Sequence, residues 1–340
     1  MAKKKRKGHY SGIGGQAVIE GIMMKKDDKY SIAVRTPSGE IDVTLEEYDS
    51  FTPSKVLLKI PFIRGVFNFI DSLILGVRTL NYSATFYEEE PKKNRQKPKF
   101  FERIFGSFSD KILSFFTVLF SLAFAIALFM LAPYFISQLF RNVIVNHTVI
   151  SIIEGVLRVF IFVLYIVLIS FMQDIKRVYK YHAAEHKCIN CLESGKILTV
   201  DNVRKSSRIH KRCGTSFMFF VVFISIILFM FIRVEDPVMR VVIRILLLPV
   251  IASISYEIIR LAGKSNNIIV RILSAPGMML QRLTTCELDG YKESLGDPEH
   301  KKYKDDDIIE VAIMAVDAVF EWREYLINEF GYDPSDVYMQ

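Results

Sequence analysis

Hydrophobic positions along this chain follow three different rhythms. The first is continuous. No Asp, Glu, Lys or Arg occurs in the 29 residues from Ile112 to Phe140, or in the 20 from Cys213 to Ile232. Such runs match the roughly 20 apolar residues needed to cross a bilayer core. Two further stretches are nearly as apolar: Val149–Met172, which carries Glu154 and Arg158, and Val241–Arg260, which carries Arg244, Glu257 and Arg260. The pattern predicts four spans, near 112–132, 149–172, 216–232 and 241–260, with Pro133 closing the first.

The second rhythm is helical. Between Pro61 and Leu80, Val66, Phe69, Ile70, Leu73, Val77 and Leu80 form one stripe, with Arg64, Asn68, Asp71 and Ser72 off it. This predicts an amphipathic helix lying on a membrane or against the spans. Ile268–Leu283, interrupted at Pro276-Gly277, is a second such helix, and Asp307–Phe330 a water-facing third. The last rhythm is that of strands. Ala17–Met24, Tyr30–Arg35 and Ile41–Leu45 are strand candidates, and Pro37-Ser38-Gly39 supplies turn chemistry between the last two. Gly12, Gly14 and Gly15 lack the third glycine and the context of a dinucleotide fingerprint, which favours a flexible or close-packed entry to the sheet.

The expected fold class is an α-helical membrane protein with about four transmembrane helices, amphipathic helices and a small N-terminal antiparallel β unit. The expected segments are a basic tail (1–11), the β unit (12–52), an amphipathic helix with a charged linker (53–100), a membrane domain (101–283) containing a polar loop (173–215), and an acidic C-terminal region (284–340). The 51% hydrophobic content is ordinary for a soluble chain. Its concentration into spans is not, and it excludes an ordinary soluble enzyme.

The net charge of +7 conceals a partition. Residues 1–111 hold 20 Lys/Arg against 14 Asp/Glu, residues 173–215 hold 10 against 4, and residues 261–340 hold 8 against 15. The loops after spans one and three carry only Arg141, and Arg233 with Arg240. The positive-inside bias therefore predicts that both termini and the 173–215 loop are cytoplasmic. Lys3, Lys4, Lys5, Arg6 and Lys7 suit anionic lipid, with RNA such as a ribosome as the alternative. The start of the chain lacks the apolar core of a signal peptide.

The densest chemistry follows span two, in Tyr181-His182-Ala183-Ala184-Glu185-His186-Lys187-Cys188. Residues i and i+4 of a helix lie about 5–6 Å apart at Cβ, which suits two imidazoles on one metal. The order H-x-x-E-H is that of inverted zincins, in which the glutamate activates water. His210 and Cys213 add a second pair. Cys188 and Cys191 on an unbroken helix would point away from the histidines, so they form a separate site or the helix stops near Lys187. Span two ends, span three begins and span four ends on one side, which lets His182, Glu185 and His186 meet His210, Cys213, Tyr256 and Glu257. Glu257 has two readings: metal ligand or base, or a structural partner of Arg260 or Arg244. Glu154 and Arg158 are expected to pair, a transport role being the alternative. Of the four cysteines, Cys188, Cys191 and Cys213 lie within 26 residues and are mixed with histidines, which suggests reduced thiols or metal ligands rather than a disulfide framework; Cys286 lies outside the cluster.

The motifs also carry a resemblance. Gly14-Gly15-Gln16-Ala17-Val18-Ile19-Glu20-Gly21-Ile22-Met23-Met24, Pro61-Phe62-Ile63-Arg64-Gly65, Tyr181–Lys187 and His210-Lys211-Arg212-Cys213-Gly214-Thr215-Ser216-Phe217 resemble the YqhQ family. So do Ser255-Tyr256-Glu257, Pro276-Gly277 with Gln281, and Glu310-Val311-Ala312-Ile313. The resemblance implies a multi-pass protein of the bacterial plasma membrane, of unassigned function and described as a predicted metal-dependent enzyme.

The functional expectation is a zinc-type hydrolase at the cytoplasmic membrane surface. Its divalent metal would be held by ligands drawn from His182, His186, His210, Cys213 and Glu257, with Glu185 as general base. Its partners would be the lipid bilayer and a membrane-protein or lipid-linked substrate. The alternative is a non-enzymatic scaffold or membrane-protein biogenesis factor that contacts a translocon or ribosome and uses a structural metal site. A transporter built on Glu154, Arg158 and Glu257 lacks repeat symmetry.

Overall fold

The computed structural model describes residues 9–52, 56–87, 110–232, 234, 236–264, 267–288, 291–292, 302–303, 305–331 and 333–334. The basic run Lys3–Lys7 and the charged linker at 88–99 lie outside the described residues. The chain is mostly helical, with a four-stranded antiparallel sheet at its start, and divides into two compact units. The first unit gathers Met1–Tyr87, Leu168–Val221 and Pro249–Gln340, and the second Glu88–Val167 and Val222–Leu248.

The sheet runs β1 (Gly14–Val18), β2 (Gly21–Lys26), β3 (Lys29–Arg35) and β4 (Ile41–Glu47), in that order. The stretch Ala17–Met24 is therefore two strands and not one. The chain reverses at Ile19-Glu20, with Val18 opposite Gly21 and Glu20 left-handed at φ 50°. A glutamate is an unusual residue for that conformation. Here its carboxylate is taken by the Arg177 guanidinium and by the Tyr181 hydroxyl at 3.1 Å. The Thr36–Glu40 turn forms as expected, with Gly39 at φ 91°.

Alternation along the strands gives the sheet two dry faces. Ile22, Met24 and Ala33 face one core; Val18, Met23, Tyr30, Ile32 and Val34 face another with Leu75. The second face is covered by α1 (Ile63–Thr85), and its amphipathicity is inverted. Gly65, Asp71, Leu75, Gly76, Thr79 and Ser83 are buried, whereas Leu73, Ile74, Val77 and Leu80 are exposed. Asp71 is satisfied inside by the Phe51 N–H at 2.8 Å, the Tyr48 hydroxyl at 3.2 Å and the Ser50 hydroxyl.

Among the described residues, four helices are long and apolar enough to cross a membrane: Phe116–Gln138, His147–Ile169, Gly214–Phe231 and Val238–Gly263. The first comprises α2 (Asp110–Ile126), a π turn at Ala127–Leu131 and α3 (Ala132–Gln138). The second is α4 (His147–Ile169), and it is followed by the polar helix α5 (Gln173–Glu193) and the short α6 (Val200–Arg204). The third is α7 (Gly214–Phe231). The fourth joins α8 (Pro237–Leu246) to α9 (Leu248–Lys264). Next, α10 (Ile268–Thr284) runs through Pro276 without the expected interruption.

The C-terminal helix expected over Asp307–Phe330 is two: α11 (Asp306–Val319) and α12 (Trp322–Phe330). It does not face water. Ile308, Ile309, Val311, Ala312, Ala315 and Val316 are buried among Ile22, Met24 and Ala33 of the sheet and Ile189 and Leu192 of α5. Helix α11 is thus the central element of the first unit. Polar bonds fix it: Ser31 Oγ to the Ala315 carbonyl, and Lys180 Nζ to Asp305 at 2.8 Å. Truncating Ile309 to Ala is expected to cost about 2–5 kcal/mol. Leu73→Ala on the exposed face of α1 should change stability by less than about 0.5 kcal/mol. Thermal unfolding of the detergent-solubilised protein measures both.

Candidate metal centre

Helix α5 is unbroken from Gln173 to Glu193, which resolves the placement of its cysteines. With about 100° between successive residues, His182, Glu185 and His186 share one face, and Cys188 and Cys191 turn away from the two histidines into the core. Cys188 Sγ lies 3.7 Å from the Ala312 carbonyl and Cys191 Sγ 3.5 Å from the Ile197 carbonyl. Burial pushes the Cys188 thiol well up and that of Cys191 up to about 11. They are core thiols, separate from the histidine face.

The histidine face meets the segment 206–213. The His182 and His186 rings are 4.3 Å apart, and the ligand atoms of His182, His186 and Cys213 all lie within 4.8 Å of one another. Each imidazole is oriented by a backbone carbonyl. His182 Nδ1 is 2.9 Å from the Thr284 carbonyl and His186 Nδ1 is 2.6 Å from the Arg208 carbonyl. A carbonyl only accepts, so both rings carry their proton on Nδ1 and turn an Nε2 lone pair inward. His182 Nε2 then accepts from Cys213 Sγ at 3.0 Å. His186 Nε2, on a ring 1% exposed, has no hydrogen-bond partner among the described residues. A buried lone pair without a partner is costly, and a cation would satisfy it. Metal bonds of about 2.0–2.3 Å put ligand atoms roughly 3.3–3.8 Å apart, so these three close on a divalent ion with little movement. Two imidazoles and one thiol suit zinc better than calcium or magnesium.

Several elements hold this geometry. Gln281 of α10, fully buried, accepts from the His210 N–H at 2.8 Å and donates to the His210 carbonyl at 2.6 Å and to Ser216 Oγ at 2.8 Å. Lys187 donates to the carbonyls of Arg204 and Ser206 at 2.7 and 3.2 Å, anchoring the start of the same loop. Gly277 lets α10 approach α7: a Cβ there would lie 3.0 Å from Ser216 Oγ. The Pro276-Gly277 and Gln281 positions are thus supports for the loop that presents Cys213.

Glu185 lies beside the triad, its Oε2 4.0 Å from His182 Nε2. Burial pushes its carboxyl up to about 7, with the adjacent His182 opposing the rise. Strand β1 is moulded onto it. A Cβ on Gly15 would sit 2.7 Å from Glu185 Cγ and 2.8 Å from the Met24 sulfur. Gly15 is therefore required by close approach, not by phosphate or flexibility.

Two expected ligands stand outside the three-donor group. His210 Nδ1 bonds Asn190 Oδ1 at 3.0 Å, and burial, then Arg212, holds its imidazole well below its usual range. Its ring lies 5.6 Å from that of His186, tilted by 43°, beside but not within the three-donor group. Glu257 pairs with neither Arg260 nor Arg244. Its two oxygens take Arg64 Nε at 2.7 Å and Nη2 at 2.5 Å, and the Phe62 N–H at 3.2 Å. This explains why the Pro61–Gly65 and Ser255–Glu257 motifs go together. Phe62 is left-handed at φ 67°, and a Cβ on Gly65 would lie 2.8 Å from Ser253 Cα, so α1 begins pressed against α9. Sequence reasoning also missed Thr284 and Arg208, which act through backbone carbonyls that no side-chain pattern encodes.

Comparison with known proteins follows the same motifs. Residues 60–296 match the family model described as "Protein of unknown function (DUF1385)". The chain belongs to this family. It is 34% identical over 275 residues to the uncharacterized protein YqhQ of Bacillus subtilis (strain 168), an alignment covering 81% of this chain and 86% of the relative. The resemblance drawn from the motifs thus holds for the family. No solved structure matches.

The glycine contacts give a paired test. Gly15→Ala is expected to lower stability by about 1–3 kcal/mol through overpacking against Glu185. At Gly14 a Cβ would meet nothing within 4 Å, so Gly14→Ala should be near neutral. Thermal midpoints of the two variants check this.

Proposed function

We propose that this protein is a zinc-type metalloenzyme of the membrane surface, a hydrolase. Its metal is held by His182 Nε2, His186 Nε2 and Cys213 Sγ, with Glu185 as general base. The observation that carries this reading is the donor count. Among the described residues three donors converge, with His210 outside their 4.8 Å group and Glu257 paired to Arg64. Three protein ligands with a remaining open position is the pattern of catalytic zinc, whereas structural zinc closes four.

When bound, a divalent ion would supply Lewis-acid polarisation of a carbonyl or phosphoryl oxygen. The chain's own residues do the rest. The Thr284 and Arg208 carbonyls hold the two rings in one tautomer, so both Nε2 lone pairs are fixed before any ligand arrives. Glu185, with its carboxyl raised to about 7 by burial, is matched to accepting a proton from an attacking water near neutral pH and returning it to a leaving group. Strand β1 covers Glu185 at Gly15 and keeps bulk water from that side.

The basic 173–215 segment supports a cytoplasmic location for the site, with both termini on that side. The exposed apolar face of α1 supports contact with the bilayer. A site at that boundary suits a lipid-linked or membrane-protein substrate.

Elemental analysis of the purified protein tests the reading. Wild type is expected to hold one zinc per chain, and His182→Ala and Cys213→Ala to hold none. Glu185→Gln should retain the metal and lose roughly 10²–10⁴-fold in hydrolytic rate once a substrate is found. Absence of stoichiometric metal in wild type defeats the proposal. A fourth protein ligand seen by X-ray absorption would convert it to a structural site.

A further inference from the structure

The second unit contains a buried charge cluster that the metal centre does not use. Glu154 and Arg158 of α4 pair at 2.8 Å, as their i, i+4 spacing predicts. A third member was not expected with them. Arg244 of α8 reaches the same carboxylate with Nη1 at 2.8 Å and Nη2 at 2.9 Å. All three are buried, at 6%, 3% and 5% exposure for Glu154, Arg158 and Arg244. The Phe129 carbonyl, within the π turn, accepts from Arg158 Nε at 3.2 Å, and Ser225 Oγ accepts from Nη1 at 3.0 Å. Both guanidiniums lie over the Phe229 ring, at 4.9 and 4.8 Å.

Two cations therefore share one carboxylate inside a bundle of membrane-length helices, where an uncompensated charge is expensive. Arg244 Nε has no hydrogen-bond partner among the described residues. A cavity of about 10 Å³ lies beside it, lined by Ser151, Glu154, Arg158, Phe229 and Arg244. A space of that size is at the lower limit for one water, and a halide ion would enter it only with a slight outward movement of the lining side chains. Among the described residues, surplus positive charge, an unused donor and a small polar cavity coincide. We propose that Arg158 and Arg244 form a binding site for one small inorganic anion of the halide class. The anion neutralises the cluster and takes the hydrogen of Arg244 Nε.

The test is thermal unfolding of the full-length protein in detergent, at fixed ionic strength, with sodium gluconate replaced stepwise by sodium chloride or bromide. The midpoint of wild type is expected to rise saturably by at least about 3 °C. Arg244→Gln, which leaves a neutral Glu154–Arg158 pair, should lose that rise. Glu154→Gln removes the competing negative charge and should reach half-saturation at roughly tenfold less chloride. Equal wild-type midpoints in gluconate and chloride would overturn the proposal and leave water as the occupant. So would an unchanged response in Arg244→Gln. The wild-type salt comparison decides the matter even if a variant fails to fold.

Discussion

Helix α5 has to satisfy two environments at once, and the first unit is arranged around that demand. Its step of about 100° groups His182, Glu185 and His186 on one side and turns Cys188 and Cys191 away from them into the core. The apolar side is closed by α11, which in turn lies on the sheet. The polar side has to be closed by groups that can accept from imidazole, and the backbone supplies them. The Thr284 and Arg208 carbonyls come from two separate segments, so the end of α10 and the 206–213 loop are both held in place by α5. Remove the continuity of α5 and the core and the donor set lose their common frame.

Periodicity read the architecture well where one environment decided each residue. The four spans, the strands from Tyr30 onward and the turn at Gly39 are simple patterns and were legible. Reading failed where tertiary partners override local preference. Nothing local marks Ile19-Glu20 as a reversal, because Glu20 is held left-handed by Arg177 from a distant helix. Pro276 looked like a break, yet α10 continues through it. The apolar stripe of α1, read as a membrane or span contact, does face outward; what its pattern does not show is that the opposite, largely polar face packs on the sheet. Asp71 tolerates burial only because residues 48–51 fold back to satisfy it.

The site was partly legible for a related reason. His182, Glu185 and His186 announce themselves by spacing on one helix. Cys213 was reachable through topology. The same argument overreached with Glu257, since convergence on one side of a bundle does not say which neighbour a carboxylate meets first. Arg64, far away in sequence, met it. Groups that orient ligands through main-chain carbonyls leave no trace in residue identity, and Gln281 acquires its meaning only once its three bonds are seen.

The inversion of α1 has a consequence for how the first unit can exist at all. Its side chains divide labour opposite to those of a water-soluble helix: hydrogen bonds and close glycine contacts hold it to the sheet, while Leu73, Ile74, Val77 and Leu80 are left outward. Adhesion to the protein and attraction to the surroundings are thereby separate properties, carried by different residues on one cylinder. Evolution can then tune how strongly the β unit clings to its environment by changing the outward residues alone, without repacking a core.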